Sequence, residues 1–106
     1  MIDKYNKLVR DKIPEIISQN GDCPKVRTLD CQSYFDALNH KLTEEVAEYL
    51  AEYSVDELAD MLEVIHTIAK HKGLTPYDLE QIRIKKHGER GGFDERILLV
   101  EVKRKL

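Results

Sequence analysis

The sequence predicts an all-α protein, an antiparallel helix bundle, and two observations support this. Charged residues make up 35% of the 106 residues, aromatic residues only 7%, and Trp does not occur. That composition favours helices with solvated outer faces over a sheet-rich core. Apolar residues also recur every three or four positions over long stretches, which is the spacing of one face of a helix. The length fits a single domain over residues 1–106.

The first predicted helix lies between Arg10 and Gly21. Three isoleucines in this segment have helical spacing, and Pro14 suits the first turn, where its missing N–H costs least. Residues 21–32 show no sustained period, which indicates a connector with a short extended piece around Val26.

The second predicted helix is long and amphipathic. Its apolar stripe runs from Phe35 to Leu50 at intervals of three or four residues. Ser33 is its candidate N-cap, and the helix is expected to stop near Tyr53.

The third helix is predicted to begin directly afterwards. Ser54 and Glu57 have the spacing of a capping box, in which each side chain accepts a hydrogen bond from the other's backbone amide. Apolar positions then continue with helical spacing until Gly73, a favourable left-handed stop. Because the break between the two helices is short, we expect them to be antiparallel neighbours.

A fourth segment is predicted to start at Thr75, a capping residue followed by a proline, and to end near Gly88. Beyond it, residues 97–102 mix continuous and alternating apolar character, so periodicity does not separate helix from strand. We expect a short irregular or strand-like C-terminal tail.

Charge and cysteine content restrict the classes of partner. The formal net charge of -3 makes duplex nucleic acid or an anionic membrane an unsuitable main partner. Cys23 and Cys31 are too far apart for a redox pair or a zinc knuckle, and no secretory leader is expected before them. We therefore expect reduced thiols and a cytoplasmic protein.

Five acidic residues stand close together on the two longest predicted helices: Glu44, Glu45, Glu48, Glu57 and Asp60. Glu45 and Glu48 are three residues apart, so both project from roughly one side of their helix. The same holds for Glu57 and Asp60 on the next helix. Folding the two helices together can bring four carboxylates to one end of their interface.

Converging carboxylates favour a bound cation, because they repel one another and lose hydration. Oxygen ligands favour a hard ion, so the pattern predicts Mg²⁺, with Mn²⁺ as an alternative, and a phosphorylated substrate that completes the coordination. The competing interpretation is a solvated acidic face in which Glu57 only caps its helix. The position of Glu45 beside the apolar stripe and of Asp60 beside Met61 speaks against that interpretation.

The order EExxE then ExxD, with KLVRDKIPEII upstream, resembles the MazG and phosphoribosyl-ATP pyrophosphohydrolase superfamily of all-helical nucleotide pyrophosphohydrolases. The resemblance covers most of the chain, although the interval between the acidic pairs is short compared with many relatives. It implies one MazG-like domain over residues 1–106 that forms a homodimer or homotetramer. The implied Mg²⁺ ligands are Glu45, Glu48, Glu57 and Asp60.

The implied reaction is hydrolysis of a nucleoside triphosphate, or a related phosphoanhydride, to the monophosphate and pyrophosphate. Nucleotide-pool housecleaning is the candidate role. A metal-assisted mechanism needs a carboxylate that orients or deprotonates the attacking water, and the candidates are Glu44, Glu45 and Glu48. No covalent nucleophile is required.

Basic residues are candidate contacts for the substrate phosphates. Lys7, Arg10 and Lys12 form a cluster near the start of the chain. Lys41 lies one turn before Glu45, so it is either a phosphate contact or one partner of an ordinary i, i+4 salt bridge.

The RGGF segment, like KLVRDKIPEII, resembles features of a compact MazG-like subgroup, which implies substrate-side roles for Arg90 and Phe93. A simple glycine turn is the alternative. Two other function classes stay open: a non-catalytic helical dimer that senses a nucleotide, and a structural interaction domain with solvated acids. Nucleotide binding without magnesium-dependent product release would favour the sensor, and the absence of any metal effect on melting would favour the structural domain.

Overall fold

The structure is a computed structural model that describes all 106 residues, and it contains four α-helices and no β-strand. The helices are α1 (Ile13–Gln19), α2 (Cys31–Glu52), α3 (Val55–His71) and α4 (Pro76–Arg90). The all-α prediction is confirmed. None of the helices combines the length and the apolar character that crossing a membrane requires.

A two-residue link joins α2 to α3. Tyr53 ends α2 in the left-handed region, with φ 55°, and its N–H donates to the carbonyl of Tyr49. Ser54 then caps α3, its hydroxyl accepting a hydrogen bond of 3.2 Å from the amide of Asp56. The predicted stop near Tyr53 and the predicted start at Ser54 are confirmed.

Helices α2 and α3 form an antiparallel hairpin. Phe35 near the start of α2 stacks on His71 at the end of α3, with ring centroids 5.1 Å apart. Between these ends lie the three buried apolar side chains of the chain, Leu38, Val64 and Ala69. The apolar stripes of the two helices therefore pack against each other, as their spacing predicts.

Two predicted caps differ from the structure. Asp30, not Ser33, caps α2, because the Asp30 carboxylate accepts a 2.8 Å hydrogen bond from the amide of Ser33. That bond to the backbone holds the pKa of Asp30 below its ordinary value. At α3 the serine bonds the second amide of the helix and not the third, so Ser54 and Glu57 form no capping box. The Glu57 carboxylate is thereby left for another role.

Helix α4 is longer than predicted. Thr75 caps it as expected and forms a capping box with Asp78, whose carboxylate accepts from the Thr75 amide. The helix passes Gly88 and ends at Arg90, because a helix tolerates an internal glycine at a cost of only ~1 kcal/mol. Gly91, with φ 81°, provides the stop.

The C-terminal tail is irregular, so the strand-like alternative is wrong. Residues 96–106 have no regular secondary structure and are exposed throughout. A strand needs a neighbour to accept and donate its backbone hydrogen bonds, and a single chain offers none at this place.

A single chain is more open than the predicted bundle. Only α2 with α3, and α3 with α4, pack closely, while α1 packs against none of the other helices. The radius of gyration is 19.0 Å, whereas a compact domain of this length has one of about 13 Å. The hairpin is therefore the element that positions the acidic residues.

Candidate metal centre

The α2–α3 turn determines where the acidic residues meet. Glu45 and Glu48 lie in the last two turns of α2, and Glu57 and Asp60 lie in the first two turns of α3. Because the hairpin is antiparallel and the link has two residues, these turns stand side by side.

Three carboxylates converge closely. One oxygen from each of Glu45, Glu57 and Asp60 lies within 4.8 Å of the other two. Opposite ligands of Mg²⁺ stand about 4.2 Å apart, given bonds of about 2.1 Å. A small inward movement of the side chains would therefore suit an ion, and the all-oxygen donor set is the set that Mg²⁺ and Mn²⁺ prefer.

Two carboxylate oxygens of these residues are buried without a hydrogen-bond partner: Oε2 of Glu45 and Oε2 of Glu57. Glu45 is only 6% exposed, which makes it the one buried charged residue in the protein. A buried carboxylate oxygen without a partner costs free energy, and a cation would offset that cost. This observation separates the cluster from an ordinary solvated acidic face.

Glu48 joins the cluster through Glu57. Burial raises the pKa of Glu57 from 4.5 to about 7, and a hydrogen bond with Glu48 adds to the rise. The charges of the other three carboxylates act in the same direction. Glu57 lies in the first turn of α3, where the helix dipole favours a negative charge, so its neighbours outweigh the dipole.

Two cations border the acids. Arg10, from the segment before α1, donates from Nη2 to Oδ1 of Asp60 at 2.7 Å. Lys41 on α2 lies 3.5 Å from Glu45 and 3.3 Å from Glu44. The predicted i, i+4 salt bridge between Lys41 and Glu45 is present.

A cleft of about 440 Å³ opens beside the cluster, between the N-terminal segment and the α2–α3 hairpin. Its volume lies within the ~300–1,000 Å³ of small-molecule sites. Acidic and basic side chains share the lining, which includes Arg10, Lys12, Lys41, Glu45, Asp60 and Glu63. The arrangement combines carboxylates for a cation with cations for an anion, which are the two requirements of a metal-bound phosphate.

Glu44 stands apart from the converging carboxylates. Its two oxygens face His40 and Lys41, each at 3.3 Å. The structure therefore places this candidate catalytic residue where it orients Lys41, and not among the oxygens that meet at Asp60.

The remaining basic and aromatic candidates have different positions. Lys12 lines the cleft, whereas the Lys7 ammonium lies over the ring of Tyr5, 5.8 Å from its centroid. Arg90 ends α4, and Phe93 is 96% exposed. Neither of these last two residues lines the cleft of its own chain.

Other cleft residues were not singled out from the sequence. Glu63 and Thr67 line the cleft on α3, three and seven residues after Asp60. Both therefore lie on the same helical face as Asp60, and extending that period along α3 would have identified them. Tyr34 lines the cleft from α2 and has the same seven-residue relation to Lys41.

Similarity to known proteins is limited to one region. No family model matches the chain, and no solved structure matches it. A stretch of 45 residues is 53% identical to an uncharacterized protein of Mycolicibacterium smegmatis. The stretch covers 42% of this chain and 46% of that protein, so it spans less than half of the relative.

Proposed function

We propose that this protein is a Mg²⁺-dependent enzyme that hydrolyses a nucleoside triphosphate, or a related phosphoanhydride, to the monophosphate and pyrophosphate. The observation that carries the proposal is the buried Glu45 carboxylate: its Oε2 has no hydrogen-bond partner, and one of its oxygens converges with oxygens of Glu57 and Asp60. The resemblance of EExxE, ExxD and KLVRDKIPEII to the MazG superfamily supports the same activity.

The acidic residues would hold the ion and the water. Glu45, Glu57 and Asp60 are the proposed ligands, with Mn²⁺ as an alternative to Mg²⁺, and Glu48 completes the set from its place beside Glu57. When bound, the ion neutralises phosphate charge and lowers the pKa of a coordinated water. Glu48 is exposed, so its carboxylate has access to a water that it could orient or deprotonate.

The basic residues would hold the phosphates. Arg10 offers a planar pair of donors that matches two phosphate oxygens, and Lys41 offers a point charge. Glu44 would fix the direction of the Lys41 ammonium through their 3.3 Å contact. These cations stabilise the negative charge that develops on the departing pyrophosphate.

The first test is a turnover assay on a panel of nucleoside triphosphates, with and without Mg²⁺. Products are separated by chromatography for the wild type, Asp60→Asn and Asp56→Asn. Asp56 is an exposed acid of the same helix outside the cluster, so its variant is a control with the same charge change. We expect monophosphate and pyrophosphate from the wild type and Asp56→Asn, and a loss of at least about 100-fold in Asp60→Asn.

Two other outcomes would change the proposal. Nucleotide binding without turnover would favour the non-catalytic sensor. Equal activity of Asp60→Asn and the wild type would remove the carboxylate cluster from the reaction.

We also propose that the active unit is a homodimer or homotetramer. One chain of 12.3 kDa exposes 10116 Å², whereas a compact monomer of this mass exposes about 6,100 Å². The excess includes apolar side chains of the hairpin such as Leu50 and Leu58, 59% and 45% exposed. A second copy that covered these side chains would bring the exposed area toward that of a compact protein.

A further inference from the structure

The side chain of Arg10 lies between the acidic cluster and the cleft. Its guanidinium donates to Asp60 at 2.7 Å, although the two residues are 50 positions apart. The carbonyl of Arg10 accepts a 3.0 Å hydrogen bond from Ile13, so the backbone of Arg10 is tied to the start of α1. Arg10 also lines the cleft proposed for the substrate.

A guanidinium and a divalent cation compete for the same carboxylate. Asp60 contributes one of the three oxygens that converge within 4.8 Å, and the Arg10 contact uses an oxygen of that carboxylate. A divalent ion among these oxygens would repel the guanidinium and weaken its hold on Asp60. The unpartnered, buried Oε2 of Glu45 shows that Arg10 and Lys41 together leave the cluster short of a cation.

The ion pair is suited to being broken. The Arg10 and Asp60 side chains are 55% and 38% exposed, and ion pairs with this exposure are weak. Arg10 lies before α1, so its side chain can turn into the adjacent cleft without moving a helix. The planar fork of arginine pairs as well with phosphate oxygens as with a carboxylate.

We infer that Arg10 is a displaceable counter-ion, which neutralises Asp60 in the metal-free protein and is transferred to a substrate phosphate when the metal binds. The inference rests on the metal centre of the proposed function. Arg10 would then weaken metal binding in the absence of substrate and contact the substrate phosphate in its presence. Metal and substrate would thereby bind cooperatively, because each relieves the repulsion that the other meets.

The test measures Mn²⁺ binding to the nucleotide-free protein by calorimetry for the wild type, Arg10→Gln and Lys4→Gln. Lys4 lies in the same N-terminal segment, is exposed and does not line the cleft, so its variant removes the same charge elsewhere. We expect Arg10→Gln to bind Mn²⁺ about three- to tenfold more tightly than the wild type. Lys4→Gln should stay within about twofold of the wild type, since exposed charges are screened. Unchanged or weaker Mn²⁺ binding in Arg10→Gln overturns the inference.

A second measurement does not depend on the glutamine variant. The Nε–H resonance of Arg10, identified by its loss in Arg10→Lys, is followed by nuclear magnetic resonance during a Mg²⁺ titration. We expect it to move toward the position it has in metal-free Asp60→Asn, where the ion pair is absent. A resonance that keeps its position while Mg²⁺ binds overturns the inference.

The failure of this inference is distinguishable from the failure of the proposed function. If Asp60→Asn binds Mn²⁺ as tightly as the wild type, the metal centre itself is wrong. If Asp60→Asn loses Mn²⁺ but Arg10→Gln gains nothing, the metal centre stands and only the role of Arg10 falls.

Discussion

The α2–α3 hairpin and the C-terminal third of the chain differ in how far the protein covers its own side chains. All four buried residues, Leu38, Glu45, Val64 and Ala69, belong to the hairpin. In contrast, α4 contains no buried residue, and the apolar residues 97–100 are between 74% and 85% exposed.

This difference accounts for the position of the acidic cluster. Burial of a carboxylate is unfavourable unless neighbouring groups that compensate for its lost hydration are held in place. The packed hairpin holds the neighbours of Glu45 in this way. The C-terminal third lacks such packing within one chain, and neither Arg90 nor Phe93 lines the cleft. The packed hairpin therefore fixes the acidic residues of the candidate site, whereas two of its predicted basic and aromatic residues lie outside the cleft of their own chain.

The largest expected effect concerns stability in the two regions. Leu38→Ala removes the most buried side chain of the hairpin, which is 2% exposed, and should cost ~2–5 kcal/mol of unfolding free energy. Leu99→Ala makes the same change at a residue that is 74% exposed and should stay within ~0.5 kcal/mol. Chemical denaturation of both variants measures the contrast. A cost at Leu99 as large as that at Leu38 would show that a second copy buries the tail, and the comparison would break.

The next effect concerns the hairpin as a metal site. Mg²⁺ at 100 times its dissociation constant should stabilise the folded protein by ~2.7 kcal/mol, because the proposed site exists only in the folded state. Thermal melting with and without Mg²⁺ tests this, with Asp56→Asn expected to keep the gain and Asp60→Asn to lose most of it. If the wild type melts at one temperature in both conditions, the acidic face is solvated and structural.

A smaller effect concerns self-association. Leu58→Lys places a charge on the exposed apolar side of α3 and should weaken the proposed oligomer at least about tenfold, or ~1.4 kcal/mol. Leu98→Lys makes the same change in the tail, at a residue that is 85% exposed, and should leave the association constant nearly unchanged. Light scattering over a dilution series separates the two. If Leu98→Lys weakened self-association more than Leu58→Lys, the interface would lie on the tail.

Sequence periodicity predicted the parts of the fold that depend on local packing. The stop at Tyr53 and the start at Ser54 followed from capping chemistry, and the antiparallel hairpin followed from the short link. The cap of α2 was misplaced because Asp30 and Ser33 are both good caps, and only the backbone geometry selects the aspartate. The secondary structure of the tail could not be predicted, since a strand forms only beside a neighbouring strand that shares its backbone hydrogen bonds.

The acidic half of the site was predictable and the basic half less so. Helical spacing and the short link predicted that four carboxylates could meet at one end of the hairpin, and three of them, Glu45, Glu57 and Asp60, converge there. The contact between Arg10 and Asp60 spans 50 positions and depends on the path of the irregular N-terminal segment, which no periodic pattern describes. The predicted role of Glu57 as a capping residue is wrong because its side chain turns to Glu48 instead.

The smallest expected effect concerns the pH dependence of the metal-free hairpin. The pKa of Glu57 in the folded state is about 7, above its ordinary 4.5. Between these two pH values the folded state holds a proton that the unfolded state has lost. The stabilisation from this proton is full below pH 4.5 and is lost as the pH rises through 7. Glu57→Gln cannot lose a proton, so it should melt close to the wild type at pH 4 and a few degrees above it at pH 8.

The control for this prediction is the adjacent acid. Asp56 is exposed in the same first turn, where the helix dipole favours its charge, so Asp56→Asn should melt slightly below the wild type at pH 8. With Mg²⁺ at pH 8, the wild type should melt above Glu57→Gln, because the wild-type carboxylate gains a cation and the glutamine does not. A Glu57→Gln variant that is less stable than the wild type at pH 8 without metal would mean that its carboxylate is already neutralised within the protein, and the need for a cation at this turn would disappear.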